Sequence, residues 1–216
     1  MMKKVMLALA CAVAMGAAQA DVLLVENFDD VDRLPGQGWV FENASQPPGI
    51  APGWVQGNEN VFGAQDDENS NAYIASDFNA VGDGGFLDNR LFTPLFSLEN
   101  GAVARFWLRG AQDPGFFDMV VYGYTEGSSN PLDFILQEVT TAQDGWTQYT
   151  LSIDPRAGQG RLGFVHTGPQ LTSNYVGLDT LRIDTLRDDP AGVPEPATLL
   201  VLGIGMAGLA ASRRRR

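Results

Sequence analysis

Cysteine, histidine and lysine are nearly absent from this chain of 216 residues. The one cysteine, Cys11, lies in an apolar N-terminal run, the one histidine is His166, and the only lysines are Lys3 and Lys4. A disulfide framework, Cys/His catalysis and a zinc site of the usual ligand types are therefore excluded. A serine triad would have to use His166, and no Gly-x-Ser-x-Gly elbow is present to carry the nucleophile. His166, inside Gly-Phe-Val-His-Thr, reads as an ordinary strand residue. Positive charge is scarce as well. Against 26 Asp+Glu stand 14 Lys+Arg, a net −12, which excludes nucleic-acid binding by phosphate neutralisation. No stretch of the middle region holds a helical period free of Gly or Pro.

The two ends differ from the rest. Lys3 and Lys4 precede the apolar run Val5–Ala18, and Ala18-Gln19-Ala20 is a small-x-small cleavage site, so residues 1–20 read as a secretory signal peptide cut before Asp21 by signal peptidase. Cys11 is not placed as a lipoprotein cysteine, because the apolar run continues beyond it. At the other end, Pro194-Glu195-Pro196 is followed by an apolar helix over 197–211 and by Arg213, Arg214, Arg215 and Arg216. That helix is shorter than the roughly 20 residues a comfortable span needs, and its arginines would stay on the cytoplasmic side. Between Asp21 and Pro190 there are 25 acids and 8 arginines, so the exported part carries −17. Such charge favours solubility and cation binding, and disfavours anionic polysaccharide unless divalent cations bridge the two.

The middle reads as all-β. Strands are expected at Val22–Phe28, Ala72–Ser76, Phe86–Phe92, Ala102–Arg109, Phe117–Tyr124, Phe134–Thr140, Thr147–Ile153, Arg161–Thr167 and Tyr175–Thr185. Turns such as Asp83-Gly84-Gly85, Asp113-Pro114-Gly115 and Asp144-Gly145 separate them. This spacing predicts an antiparallel two-sheet sandwich. Within Ala102–Arg109, Ala104, Phe106 and Leu108 alternate with Val103, Arg105, Trp107 and Arg109, which gives one wholly apolar face. Gly36–Gln65 shows no convincing strand and reads as a long loop holding Trp39 and Trp54. These two are the candidates for stacking on a sugar ring, whereas Trp107 and Trp146 read as packing residues. Gly158-Gln159-Gly160-Arg161-Leu162-Gly163 imitates a dinucleotide fingerprint, but a β-rich run follows it where a helix is required. Among the acids, Asp66-Asp67-Glu68 is the most conspicuous source of paired carboxylates for glycoside hydrolysis.

The tail 194–216 resembles the PEP-CTERM sorting signal, which implies an exosortase-type sorting enzyme as partner and export from a Gram-negative bacterium that makes extracellular polysaccharide. The middle resembles the choice-of-anchor J family, related to cleaved-adhesin and MAM domains. The matching stretches are Glu26-Asn27-Phe28-Asp29, Gly38-Trp39, Asp88-Asn89-Arg90-Leu91-Phe92-Thr93-Pro94, Arg105-Phe106-Trp107-Leu108-Arg109, Asp144-Gly145-Trp146, Leu162-Gly163-Phe164-Val165-His166 and Tyr175-Val176-Gly177-Leu178-Asp179. That resemblance implies a jelly roll over 21–187, with 188–193 as linker. It also implies a structural calcium ion near the first and last strands, held by Asp29 and Asp179, with Asp113, Glu26 or Asp118 completing the shell. Calcium takes six to eight oxygen ligands, so carboxylates from distant strands must converge.

The expected protein is an exported, calcium-stabilised, non-catalytic adhesin-like domain. Its membrane-anchored precursor would pass to the cell surface or matrix and bind extracellular polysaccharide or a surface protein. Two alternatives are a carbohydrate-binding module built on Trp39 and Trp54, and a glycan-active enzyme using paired carboxylates.

Overall fold

The computed structural model describes residues 20–111 and 114–186. The signal peptide, Asp113, the linker and the sorting tail with its apolar helix lie outside the described residues. Among the described residues no helix is long and apolar enough to cross a membrane.

Thirteen strands are found among the described residues: β1 Val22–Glu26, β2 Val40–Asn43, β3 Gln46–Pro48, β4 Trp54–Gln56, β5 Ile74–Asp77, β6 Val81–Phe92, β7 Phe96–Ser97, β8 Ala102–Gly110, β9 Met119–Thr125, β10 Leu136–Thr141, β11 Thr147–Ile153, β12 Gln159–Pro169 and β13 Tyr175–Thr185. They form two sheets. One runs β11-β8-β13-β5-β4 with β1 beside β13; the other runs β10-β9-β12-β6-β2 with β3 beside β6 and β7 beside β12. The pairings β5/β13, β6/β12, β8/β11 and β9/β10 are antiparallel and nested in sequence. Successive pairs alternate between the sheets, so the chain is a folded ribbon wound into a jelly roll.

Period-2 alternation explains why these segments are strands and which way they face. On β8, Ala102, Ala104, Phe106 and Leu108 are buried, while the residues between them point outward. Phe106 meets the rings of Tyr122 and Phe164 from the opposite sheet at 5.0 and 4.9 Å, both edge to face. This main core also holds Ile74, Leu91, Leu151, Val176, Leu178 and Ile183. It is built entirely within residues 22–186, so this part of the chain has what it needs to fold alone.

The nine expected strands are all present, with ends shifted by a few residues at most positions. The expected long loop Gly36–Gln65 is instead threaded by β2, β3 and β4, which pair with the edges of both sheets. Trp39 and Trp54 therefore do not reach solvent. Each is 4% exposed and belongs to the main core. Trp39 packs edge to face on Phe28 at 5.5 Å, and Trp54 donates its indole N–H to the Asn89 carbonyl at 3.1 Å. Neither indole face is available to a sugar, which corrects the expected ligand-binding role of both.

One side of β13 receives two partners. Tyr175–Leu178 pairs with β5, and Leu181–Asp184 pairs with β1. At the change-over Thr180 takes φ 48°, and the register with β8 shifts between Asp179 and Arg182. Asp21 and Thr185 are joined by two hydrogen bonds, so the start of β1 and the end of β13 lie together.

Candidate functional site

The outer face of the first sheet carries a second, smaller apolar cluster of Phe62, Ala64, Tyr73, Ala75 and Tyr175, with Trp146 packed against it. Its lid is the loop between β4 and β5. Gly177 makes room for it: a Cβ there would lie 2.8 Å from both Phe62 and Trp146 ring atoms. The loop is fastened from beneath by buried polar groups. The Asn58 N–H donates to the Tyr73 and Tyr175 hydroxyls, and the Tyr73 hydroxyl donates toward the Asn58 and Phe62 carbonyls. Trp146 Nε1 donates to the Gly63 carbonyl, and the Gln65 N–H donates to Asp179 Oδ2 at 2.8 Å. Burial, followed by the neighbouring Tyr73 hydroxyl, pushes the Tyr175 phenol far above its ordinary range.

Beside this cluster, where β5 ends, β13 begins and β8 ends, lies a cleft of about 530 Å³. That volume is within the range of small-molecule sites. Asp77 and Tyr175 face each other across the β5/β13 pair, and Arg109 lies beside Gly177 on β8. Asp144 is brought in by a bridge to Gly110, and Asn60, Phe78 and Asn174 complete the walls. The Arg109 guanidinium sits 4.6 Å from the Phe62 ring centre and 4.0 Å from Asp144, a loose ion pair in which Nε has no hydrogen-bond partner. Asp77 Oδ1 accepts from the Asn79 N–H. The site thus combines amide, carboxylate and guanidinium groups with aromatic edges, a set suited to a ligand rich in hydroxyls. A smaller apolar hollow lined by Phe78, Phe116, Gln170, Leu171 and Asn174 adjoins it.

None of these cleft residues stood out in the sequence as a site. The available signals were the outward position of Arg109 in an alternating strand and the Asp144-Gly145 turn. Neither shows that the two meet.

The residues expected to hold calcium are not gathered into a shell. Among the described residues no three His, Cys, Asp or Glu side chains form a group that could hold a metal ion. Asp29 is exposed, and Glu26 Oε1 accepts from the Phe28 N–H at 2.7 Å. Asp179 is buried at the bulge with both oxygens taken by N–H donors, Gln65 on one and Thr180 on the other. Burial raises its carboxyl to about 6, against the pull of those hydrogen bonds. Asp118 is occupied elsewhere, and Asp113 lies outside the described residues. The four described members of the expected set, Asp29, Glu26, Asp118 and Asp179, thus do not form a group around one point.

Asp118 belongs to a polar staple between the sheets. Ser76 Oγ accepts from Asn89 Nδ2 at 2.7 Å and lies 2.9 Å from His166 Nδ1; His166 Nε2 lies 3.3 Å from Asp118 Oδ1. Asp118 Oδ1 also accepts from the Asn174 N–H at 2.6 Å. Ser76, held by Asn89, thus meets one side of the imidazole and Asp118 meets the other. The constellation imitates a hydrolase triad in composition. Ser76 and His166 are 0% exposed and Asp118 3%, so no substrate reaches them. The acidic run Asp66-Asp67-Glu68 is exposed on the loop, and the Asp67 carboxylate there caps the Asn69 N–H.

Residues 192–216 match the family described as the PEP-CTERM protein-sorting motif. The tail is a PEP-CTERM tail. Compared by sequence with curated proteins, the chain finds no match. Among solved structures, the K1 cleaved adhesin domain of Lys-gingipain from Porphyromonas gingivalis W83 is similar over 76% of this chain and 98% of its own, with 23% identity and a TM-score of 0.56. The K3 cleaved adhesin domain of the same protein covers 77% and 99%, with 21% identity and a TM-score of 0.53. At these identities the likeness is one of fold. The jelly roll thus shares its fold with the cleaved adhesin domains, and the PEP-CTERM match follows it in the chain.

Proposed function

We propose that this protein is an exported, tail-sorted binding domain that takes a saccharide of the extracellular polysaccharide in the cleft at the β5/β13 end, and that it does no catalysis. The observation that carries this reading is the cleft itself: Asp77, Arg109, Asp144 and Asn60 open to solvent beside Phe62, Phe78 and Tyr175. Sugars are recognised by this mixture of planar polar groups and aromatic surface. The one hydroxyl–imidazole–carboxylate set among the described residues is sealed in the core, so it offers no nucleophile to a ligand in the cleft. The PEP-CTERM tail supports export and handling by an exosortase-type enzyme, with the cell surface or matrix as destination.

The cleft contains two carboxylates and one guanidinium in a domain of −17, so neutral or amine-bearing sugars are favoured over uronates. The test is co-sedimentation of residues 21–190 with the producer's polysaccharide and with defined neutral, amine-bearing and uronate polymers. Saturable binding that falls at least tenfold in both Arg109→Ala and Asp77→Ala supports the reading. Binding that survives both substitutions moves the ligand off the cleft. No binding to any polymer overturns a saccharide ligand and turns attention to a surface protein.

A further inference from the structure

The end of β4 contains an arrangement that the calcium expectation did not foresee. The Gln56 side chain, at the end of β4, points its Nε2 at three backbone carbonyls: Phe28 at 2.8 Å, Asn71 at 2.7 Å and Tyr73 at 3.2 Å. Its Oε1 accepts from the Val31 N–H at 2.9 Å. That last bond fixes which way the amide lies, since an N–H must face oxygen and carbonyls must face nitrogen. A primary amide has two hydrogens, yet three acceptors converge here, two at ordinary length and a third sharing a proton.

Backbone oxygens drawn around one point are the environment of a hard cation. Here the point is occupied by a neutral group with a partly positive NH₂. We propose that the Gln56 carboxamide takes the place of a metal ion at this point, so that the fold of this domain does not depend on calcium. Three observations agree. The segments tied together are remote from Gln56 in sequence, by 28 residues to Phe28, 25 to Val31, 15 to Asn71 and 17 to Tyr73, which is the bridging work a structural ion does. Two of the acids expected to hold calcium have N–H partners instead: Glu26 the Phe28 N–H, and Asp179 the Gln65 and Thr180 N–H groups. All three acceptors of Nε2 are neutral carbonyls, which supply no charge to balance a divalent ion, whereas the neutral amide needs none. Phe28 holds its carbonyl in place at φ 58°, a left-handed conformation that a large side chain adopts only when its surroundings hold it there.

The experiment compares thermal unfolding of residues 21–190, wild type and Gln56→Glu, in excess calcium and in excess chelator. The wild-type midpoint is expected to be the same in both. Gln56→Glu places a carboxylate with no protons against the carbonyls. Its midpoint is expected to fall by several degrees in chelator and to recover in calcium, which completes an all-oxygen shell. A wild-type midpoint that drops by several degrees in chelator overturns the proposal. So does a Gln56→Glu protein that matches wild type in chelator. Should Gln56→Glu fail to fold, the wild-type side-chain amide decides by NMR. Slow exchange of the Gln56 NH₂ protons with solvent supports the proposal; exchange as fast as that of an exposed glutamine sinks it.

Discussion

The strands of the first sheet send Ile74, Phe106, Leu108, Val176 and Leu178 inward to the main core, and Ala75, Asp77, Arg109, Tyr175 and Asp179 outward. The inner face is closed by the opposite sheet, through interlocking rings and the Ser76–His166–Asp118 staple. The outer face is closed by a loop, fastened at single atoms by tyrosine hydroxyls, an indole N–H and one buried carboxylate. The contrast assigns different tasks to neighbouring residues. Inner residues stabilise the whole domain, whereas outer ones hold a local cover and the rim of a cleft. Sub-global opening is expected on the outer side, where fewer apolar contacts must part.

Four measurements would break or sharpen this contrast. The largest effect is expected for Phe106→Ala, which removes a ring packed on Tyr122, Tyr149 and Phe164. It should cost about 3–5 kcal/mol in urea unfolding and abolish cleft binding only through loss of fold. Next, Asp118→Ala removes the buried oxygen that meets His166 Nε2 and accepts from the Asn174 N–H, at about 2–3 kcal/mol, with no effect on the affinity of the folded fraction. A large loss of affinity in the folded protein would join the staple to the cleft and remove the separation between faces.

The third concerns Asp179. Its folded carboxyl is raised to about 6 from an ordinary 3.8, so the folded state binds the proton more tightly than the unfolded state does. This contribution to stability is therefore full below about 4, falls as pH rises toward 6, and is absent above it. Asp179→Asn should flatten the difference in unfolding free energy between pH 7 and pH 5 by about 1–2 kcal/mol relative to wild type. An unchanged pH profile would mean that the carboxylate is hydrated. The smallest effect on stability is expected from Arg109→Ala, within about 0.5 kcal/mol, because the side chain is half-buried and its ion pair with Asp144 is loose. Its effect on ligand binding should be the largest of the four, and a stable variant that still binds fully would refute the role given to the outer face.

Much of the fold could be read from the order of residues because alternation is a strong signal where one face is fully buried. Ala102–Gly110 and Tyr175–Thr185 are examples, the first read to within one residue and the second to both ends. β2, β3 and β4 were illegible for a different reason. They have three or four residues each, one contains two prolines, and they are held by edges of sheets formed elsewhere in the chain. Trp39 and Trp54 were misplaced by the same ignorance: once the segment is taken for a loop, its tryptophans look exposed. The cleft was illegible because it is a product of register. Asp77 meets Tyr175 only through the β5/β13 pairing, and Arg109 meets Phe62 only because Gly177 has no side chain. Asp179 was expected as a calcium ligand, and the pattern could not say that its two oxygens would accept from the Gln65 and Thr180 N–H groups.

The pairing of β1 with β13 has a geometric consequence. Asp21 and Thr185 sit side by side, so the chain enters and leaves the domain at one pole, and Tyr175 stands at the other. Ten residue steps separate Tyr175 from Thr185, a reach of about 33 Å at roughly 3.3 Å per step. The cleft therefore lies at the pole opposite the two ends of the domain, so whatever is joined to either end leaves its mouth unobstructed.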